Sequence, residues 1–303
     1  MARKTGFPPE AGELPSPVVD NHTHFPLHPG EELPDGAAPL AMSEQVGRAE
    51  RAGVVAMIHS GCELPDLEPS LELARQWPQV KAALAIHPNE TSKHAGVFET
   101  GPDGWEQSPA AHHAVALDEA LARVAELARD PEVVAIGETG LDYFRTGDKG
   151  RVVQREAFRA HIALAKELGL PMQIHDRDAH ADVVEILKRD GAPELTVLHC
   201  FSGDRELAGV LNEHGWYASF AGPVTFRANE ELREALRVMD PSLIMVETDA
   251  PYLTPVPYRG RPNASYVMVH TVESMAVTRG EELTQLCQRL TANTERVYGR
   301  WWG

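Results

Sequence analysis

Short apolar runs alternate with longer amphipathic stretches along almost the whole chain. Runs such as Val54-Val55-Ala56-Met57-Ile58 are apolar throughout, as is typical of strands buried on both faces of a parallel sheet. The pattern predicts strands at 18–24, 54–60, 80–87, 133–138, 171–175, 195–200, 216–221 and 243–249. It predicts helices at 41–52, 66–76, 115–129, 151–169, 178–190, 204–214, 230–238 and 265–279.

This strict alternation of strands and helices predicts an α/β fold, a TIM (β/α)8 barrel in a single domain. We expect the barrel to occupy residues 18–303, after an N-terminal extension over residues 1–17. One connection, an insertion at about 89–114, contains several Gly and Pro residues and is longer than usual. Because it leaves a strand end, two interpretations stay open: a lid over the catalytic rim, or a surface insertion with exposed histidines.

Ionisable residues stand at the ends of most predicted strands, where a TIM barrel gathers its active site. Side chains alternate along a strand, so His22 and His24 point to the same side of the first strand. A single buried ionisable group can be structural, but several that converge on one rim are costly unless something binds them. We therefore predict a metal centre. The residues concerned are His22, His24, His87, Glu138, His175, His199 and Asp249.

Composition and charge indicate which binding partners and which compartment to expect for the protein. The formal net charge of −17 argues against a protein that holds duplex DNA through a broad basic surface. It does not exclude a nuclease, since bound cations can supply positive charge where a phosphate sits. No apolar run approaches the roughly 18 residues of a membrane span, and no signal peptide is evident. With three cysteines that suggest reduced thiols, we expect a cytoplasmic protein with no membrane association and no obligate protein partner.

Five segments of the chain resemble the TatD family of metal-dependent hydrolases, a branch of the amidohydrolase-like barrels. They occur in order from the first predicted strand to the last, which is far more specific than the His-x-His pair alone. They are residues 20–24, 137–144, 171–180, 198–203 and 246–255. The chain departs from the family pattern in the N-terminal extension, in the insertion, and at Ala264-Ser265, where a Pro is common. These departures leave the choice of substrate open.

The resemblance implies a binuclear metal centre. His22 and His24 would hold one ion, and His175 and His199 would hold the other. Glu138 would bridge the two ions. Imidazole and carboxylate ligands with open positions are what a hydrolytic centre requires.

Two carboxylates are the implied catalytic residues. Asp249 would be a metal ligand or the base that acts on water, and Glu138 would be catalytic as well as a ligand. Asp20 lies on the histidine side of the strand but deeper, so we interpret it as a partner that orients the ligands. The histidine count favours zinc or another transition ion over magnesium. The family includes enzymes assayed with magnesium or manganese, so the identity of the two divalent ions stays open.

Three residues near the centre are candidates for contact with substrate. His87 matches a family position near the mouth and is either a substrate contact or a core histidine. Arg145 and Arg177 could each offer a forked guanidinium to a phosphate. The alternative for both is a salt bridge to a nearby acid such as Asp142 or Asp176.

The resemblance implies a metal-dependent deoxyribonuclease of the exonuclease type, acting on DNA ends that are single-stranded. In such a centre, metal-activated water attacks the phosphodiester. The alternative is a metal-dependent hydrolase of a small ester, lactone, amide or phosphate, since related barrels apply the same chemistry to many substrates. A third hypothesis is a binding or scaffold protein that keeps a metal only for structure. It is disfavoured because the predicted ligand set leaves a position open for water, whereas structural metal sites are closed.

Overall fold

The structure is a computed structural model that describes residues 6–28, 30–33 and 36–303. Its strands are β1 (Val18–Thr23), β2 (Val54–Gly61), β3 (Val80–Leu84), β4 (Val133–Asp142), β5 (Met172–Arg177), β6 (Thr196–Leu198), β7 (Tyr217–Phe220) and β8 (Ile244–Val246). They form one eight-stranded sheet whose order follows the chain, and the pairings of β1 with β2, β4 with β5 and β7 with β8 are parallel. A parallel bridge from Thr23 to Ala250 links the end of β1 to the segment after β8. The predicted TIM (β/α)8 barrel is confirmed.

Helices connect the strands. They are α1 (Met42–Arg51), α2 (Leu67–Gln76), α3 (Pro88–His94), α4 (Leu117–Leu127), α5 (Asp148–Leu168), α6 (His180–Asp190), α7 (Arg205–His214), α8 (Glu230–Val238), α9 (Met268–Arg279) and α10 (Leu283–Tyr298). In the described part of the chain, none of the helices combines the length and the apolar character needed to cross a bilayer.

The ends of β3, β4 and β8 differ by three or four residues from those that the apolar pattern predicts, and β8 ends at Val246, short of residue 249. β3 ends at Leu84, short of the expected end. β4 continues to Asp142, because residues 139–142 pair with residues 174–177 of β5. Glu138 therefore lies inside a strand and not at its end.

Helix α3 was not predicted, and its sequence explains why. It contains no aliphatic residue, so there is no apolar periodicity to detect. Instead its first residue is Pro88, whose fixed φ suits a helix start, and the His87 side chain caps it by accepting a hydrogen bond from the Asn89 N–H. Its polar side chains, including Glu90 and His94, are nevertheless buried.

The chain divides into two compact units. The first contains the described residues up to His59, together with Trp77–Val80 and Gly203–Gly303; the second contains Ser60–Gln76 and Lys81–Ser202. Each unit buries its own strand residues, for example Val18 and Phe220 in the first and Ile136 and Ile174 in the second.

Residues near both ends of the described chain are buried within the first unit. Leu14 in the N-terminal extension is buried, and its N–H donates to the Ala52 carbonyl at 3.0 Å. Trp302 near the C-terminus is buried against Val19 and Ala56. Residues 1–5 of the predicted extension lie outside the described residues.

The second unit contains a fully buried histidine that has a structural role. The Nε2 of His161, on α5, accepts the Ile86 N–H at 3.3 Å, and its Nδ1 lies 2.8 Å from the Thr139 hydroxyl. Burial lowers the pKa of His161 from 6.5 to about 4. The folded protein therefore keeps this ring neutral at a pH where the unfolded chain protonates it.

We expect His161 to make folding stability depend on pH. Between pH 6.5 and 4 the unfolded state binds more protons at this position, so stability falls as the pH falls. The difference in pKa corresponds to roughly 3 kcal/mol. Urea denaturation at pH 7 and pH 4.5 should show a smaller loss of stability in His161→Gln than in the wild type. The control His214→Gln, at an exposed residue, should lose as much as the wild type, and equal losses in all three proteins would contradict this role.

Candidate metal centre

The first unit holds a cluster of two histidines and one carboxylate. His22 lies on β1 and His24 directly follows it, and their Nε2 atoms are 3.1 Å apart. Asp249 Oδ1 lies 3.4 Å from His24 Nε2 and 3.8 Å from His22 Nε2. His22 is buried, whereas His24 and Asp249 are partly accessible. One ligand atom from each of the three residues lies within 4.8 Å of the other two.

Backbone pairing at the closure of the sheet brings these residues together. The Asp249 N–H donates to the His22 carbonyl at 3.0 Å, and the His24 N–H donates to the Ala250 carbonyl at 2.7 Å. Asp249 adopts a left-handed conformation with φ of 52°. Aspartate tolerates this region better than most residues with a Cβ, and such conformations are enriched at functional sites.

Asp20 contacts the segment that precedes Asp249. It is fully buried, and its carboxylate accepts hydrogen bonds from the Thr248 N–H at 2.8 Å and the Thr248 hydroxyl at 2.6 Å. Burial raises the pKa of Asp20 to about 7, although the bonds from Thr248 oppose that rise. Asp20 thus holds the residue next to Asp249, and its role in orienting the ligands stays a prediction.

A further histidine near this cluster was missed. His59 lies on β2, and its Nδ1 accepts the Phe25 N–H at 3.0 Å, just beyond His24. Burial lowers the pKa of His59 to about 3, and the nearby His24 and His22 add to that effect. The neutral ring therefore holds the chain where it leaves β1. Its sequence context, a polar residue that interrupts an apolar run, is the same as that of the predicted ligands.

The second unit holds a cluster around one glutamate. Glu138 Oε1 lies 2.5 Å from His175 Nδ1 and 2.7 Å from His199 Nε2. His87 Nε2 is 3.5 Å from the same oxygen. Burial by itself would raise the pKa of Glu138, but electrostatic interaction with the neighbouring His199, His87 and His175 holds it well below its usual range. The carboxylate therefore remains ionised among the imidazoles.

Hydrogen bonding defines the tautomer of His87. A backbone N–H can only donate, so the Asn89 N–H at 3.0 Å makes the His87 Nδ1 an acceptor. The neutral ring then carries its proton on Nε2, the atom that faces Glu138. His87 is thus placed in the cluster as a hydrogen-bond donor.

Two other residues of this cluster were not predicted as site residues. Asp142 Oδ2 lies 3.3 Å from His175 Nε2. Burial lowers the pKa of His175, but Glu138 and Asp142 outweigh it and raise the value to about 9. The Cys62 thiol donates to Glu138 Oε2 at 3.7 Å. The signal that could have found Asp142 is its spacing of four residues from Glu138, which in a regular strand favours the same face.

The two predicted phosphate-binding arginines have local aromatic and acidic neighbours. Arg145 Nε is 3.7 Å from Asp103, and its guanidinium lies 5.3 Å from the centre of the Trp105 ring. The Arg177 guanidinium lies 4.0 Å from the centre of the Phe144 ring. The acid beside the Arg145 side chain therefore comes from the insertion, and a role of either arginine in phosphate binding stays a prediction.

The absence of a side chain at Gly140 is needed to keep β4 beside His175. Gly140 has φ of 141°, and an added Cβ would stand 2.1 Å from the His175 carbonyl oxygen. We expect Gly140→Ala to move β5, to cost about 2–4 kcal/mol of stability and to reduce activity. The control Gly169→Ala also has positive φ but open space around it. Denaturation should show a clearly smaller loss for the control; equal losses would mean that the contact with β5 is unimportant.

Both clusters have the donor chemistry of a transition-metal site. Two nitrogen ligands on tetrahedral zinc stand about 3.3 Å apart, given zinc–nitrogen bonds of about 2.0–2.1 Å. The 3.1 Å between His22 and His24 suits that arrangement. In the second unit, one ligand atom from each of His87, Glu138 and His175 lies within 4.8 Å of the other two, and His199 Nε2 lies 2.7 Å from Glu138 Oε1. The residues present therefore fit divalent cations.

Comparison with known proteins identifies the family. A family model described as "TatD related DNase" matches residues 19–299. The chain belongs to the TatD family. A relative from Mycobacterium tuberculosis (strain ATCC 25618 / H37Rv), named "Uncharacterized metal-dependent hydrolase TatD", is 36% identical over 289 residues, which are 94% of this chain and 99% of the relative.

Other TatD proteins resemble the chain over similar lengths. One from Salmonella typhimurium, named "3'-5' ssDNA/RNA exonuclease TatD", is 34% identical over 261 residues, or 84% of this chain and 91% of that protein. The crystal structure of YJJV, a TatD homolog from Escherichia coli K12, has a TM-score of 0.76 and 26% identity, covering 93% of this chain and 98% of that one. The chain is a metal-dependent hydrolase of the TatD family, as the resemblance implied.

Proposed function

We propose that this TatD-family hydrolase is a deoxyribonuclease of the exonuclease type, which hydrolyses phosphodiester bonds at single-stranded DNA ends. The observation that carries the proposal is a pair of histidine and carboxylate clusters on strands of a TatD barrel. A relative that shares 34% of its residues over 84% of this chain is named as a single-strand exonuclease, which supports the choice of substrate.

We assign the predicted ligands to two divalent cations. His22, His24 and Asp249 would hold one ion, and Glu138, His175 and His199 would hold the other. Bound cations of this kind lower the pKa of water and offset the charge that develops on a phosphodiester. Imidazole-rich ligand sets favour zinc or a similar transition ion, and magnesium and manganese are the alternatives.

The protein's own side chains would then bind and transfer protons. Asp249, which is partly accessible and lies beside two imidazoles, would accept a proton from the attacking water. His87 presents an Nε2–H that would donate to a phosphate oxygen. Arg145, whose side chain is partly exposed, would pair with a phosphate of the DNA backbone.

An exposed aromatic residue supports recognition of unpaired bases. Tyr252 is 51% exposed, and its ring is in edge contact with His24 at a centroid distance of 6.4 Å. Bases of single strands stack on such rings, and stacking does not require a basic surface. This agrees with the net charge of −17, which disfavours broad binding of duplex DNA.

The substrate is tested with end-labelled DNA. We expect metal-loaded protein to shorten single-stranded oligonucleotides stepwise from one end and to act more slowly on blunt duplexes. Chromogenic esters and small phosphodiesters are assayed in parallel. The Asp249→Asn protein, purified in the same way, reveals any contaminating nuclease. Intact DNA together with turnover of a small ester would overturn the proposal and favour the alternative hydrolase.

A further inference from the structure

A third group of histidines lies within the insertion of the second unit. His94 is the last residue of α3, and His112 and His113 lie in a short 3-10 helix, Ala111–Ala114. The ring centres of His94 and His113 are 5.1 Å apart, and those of His112 and His113 are 4.0 Å apart. One nitrogen from each ring lies within 4.8 Å of the other two. We call these three residues the insertion histidine cluster.

His94 presents a buried nitrogen towards this cluster. Its side chain is only 4% exposed, and its Nδ1 lies 2.8 Å from the Val115 carbonyl. A carbonyl can only accept, so Nδ1 carries the proton and Nε2 carries a lone pair. Within the described residues, Nε2 is buried without a hydrogen-bond partner. A buried acceptor in this state is costly unless a cation or a donor occupies the space beside it.

Glu90 supports the other two rings. It lies one helical turn before His94 on α3, and its Oε2 is 2.7 Å from His113 Nε2 and 3.3 Å from His112 Nε2. Its other oxygen is paired with Lys93 at 2.5 Å. Metal-binding histidines usually donate their second N–H to a carboxylate or a backbone carbonyl. Both kinds of partner are therefore in place, Glu90 for two rings and the Val115 carbonyl for His94.

We propose that the insertion histidine cluster binds a zinc-class transition ion through His94, His112 and His113, separately from the catalytic centre. Three imidazoles suit zinc and its neighbours, whereas magnesium and calcium prefer oxygen ligands. The Nδ1 of His113 now accepts the Ala110 N–H at 2.7 Å. Ala110 is exposed, so its N–H can bond to water once Nδ1 binds the ion, while the His113 Nε2 keeps its contact with Glu90.

Such an ion would join the two ends of the insertion. His94 closes α3, and His112 and His113 stand just before α4, so the ion would clip the loop between them. Glu99 within this loop already accepts the Gly150 N–H at the start of α5, at 2.8 Å. A metal that clips a loop stabilises the folded chain, because it binds a site that the unfolded chain lacks.

The test compares zinc stoichiometry in matched variants. Each protein is stripped with a chelator, dialysed against zinc chloride, and analysed for bound metal by mass spectrometry. We expect His94→Gln to bind one equivalent less than the wild type, and the control His214→Gln to bind as much as the wild type. Zinc should also raise the melting temperature of the wild type more than that of His94→Gln.

A second variant keeps the test decisive if His94→Gln does not fold. His112 is partly exposed, so His112→Gln is expected to fold, as checked by circular dichroism, and to lose the same equivalent of zinc. Equal stoichiometry in the wild type and both folded variants would overturn the proposal. Because the readout is a difference in bound metal, it does not depend on whether the protein hydrolyses DNA.

Discussion

Asp249→Asn is expected to lower kcat on the DNA substrate by about 10²–10⁴-fold, the usual contribution of a positioned acid or base. The carboxylate of Asp249 lies 3.4 Å from the Nε2 of His24 and 3.8 Å from the Nε2 of His22. Asparagine tolerates the left-handed backbone at this position, so the substitution removes the charge with little added strain. Steady-state kinetics at saturating metal measure the effect, and urea denaturation checks that the fold remains.

The matched control is Glu273→Gln, which removes a half-exposed carboxylate from α9. It should keep the wild-type kcat. If Asp249→Asn retained more than about a tenth of the wild-type rate, Asp249 would not act as the base. If both variants lost activity equally, the loss would reflect general destabilisation.

Removal of divalent cations is expected to abolish hydrolysis, with a loss of at least about 10³-fold, because water at neutral pH is a poor nucleophile without a cation. Activity should return on addition of one or more of zinc, manganese and magnesium, and the order of recovery identifies the preferred ion. The melting temperature should fall on removal, since an ion that binds only the folded state stabilises it.

Two controls separate the catalytic ions from other effects. Asp249→Asn should stay inactive after metal is restored, whereas His94→Gln should recover as the wild type does, because its cluster lies in the insertion. Full activity in protein shown by mass spectrometry to contain no metal would contradict the proposed mechanism.

The barrel could be predicted because its pattern is local. Each strand is a short apolar run, and an ionisable residue that interrupts such a run marks a place where burial must be compensated. This pattern selected His22, Glu138 and His175 as candidate site residues. It set the end of β4 too early, because residues 139–142 are not an apolar run although they pair with β5.

The insertion shows where the apolar pattern fails. α3 has no aliphatic residue, so it was expected to be a loop, and exposed histidines were one interpretation of the segment. His94 and His113 are in fact buried. Their burial depends on polar partners such as Glu90, which hydrophobic periodicity does not detect.

The order of the strands, the residue types at their ends and the family resemblance all follow from neighbouring positions in the chain, and these could be read directly. The contacts between distant positions could not. Asp20 binds Thr248, 228 residues away, and His59 caps the backbone at Phe25. Each depends on where folding places two backbones to within a few tenths of an ångström. Hydrogen-bond geometry is that strict, and no spacing along the chain specifies it.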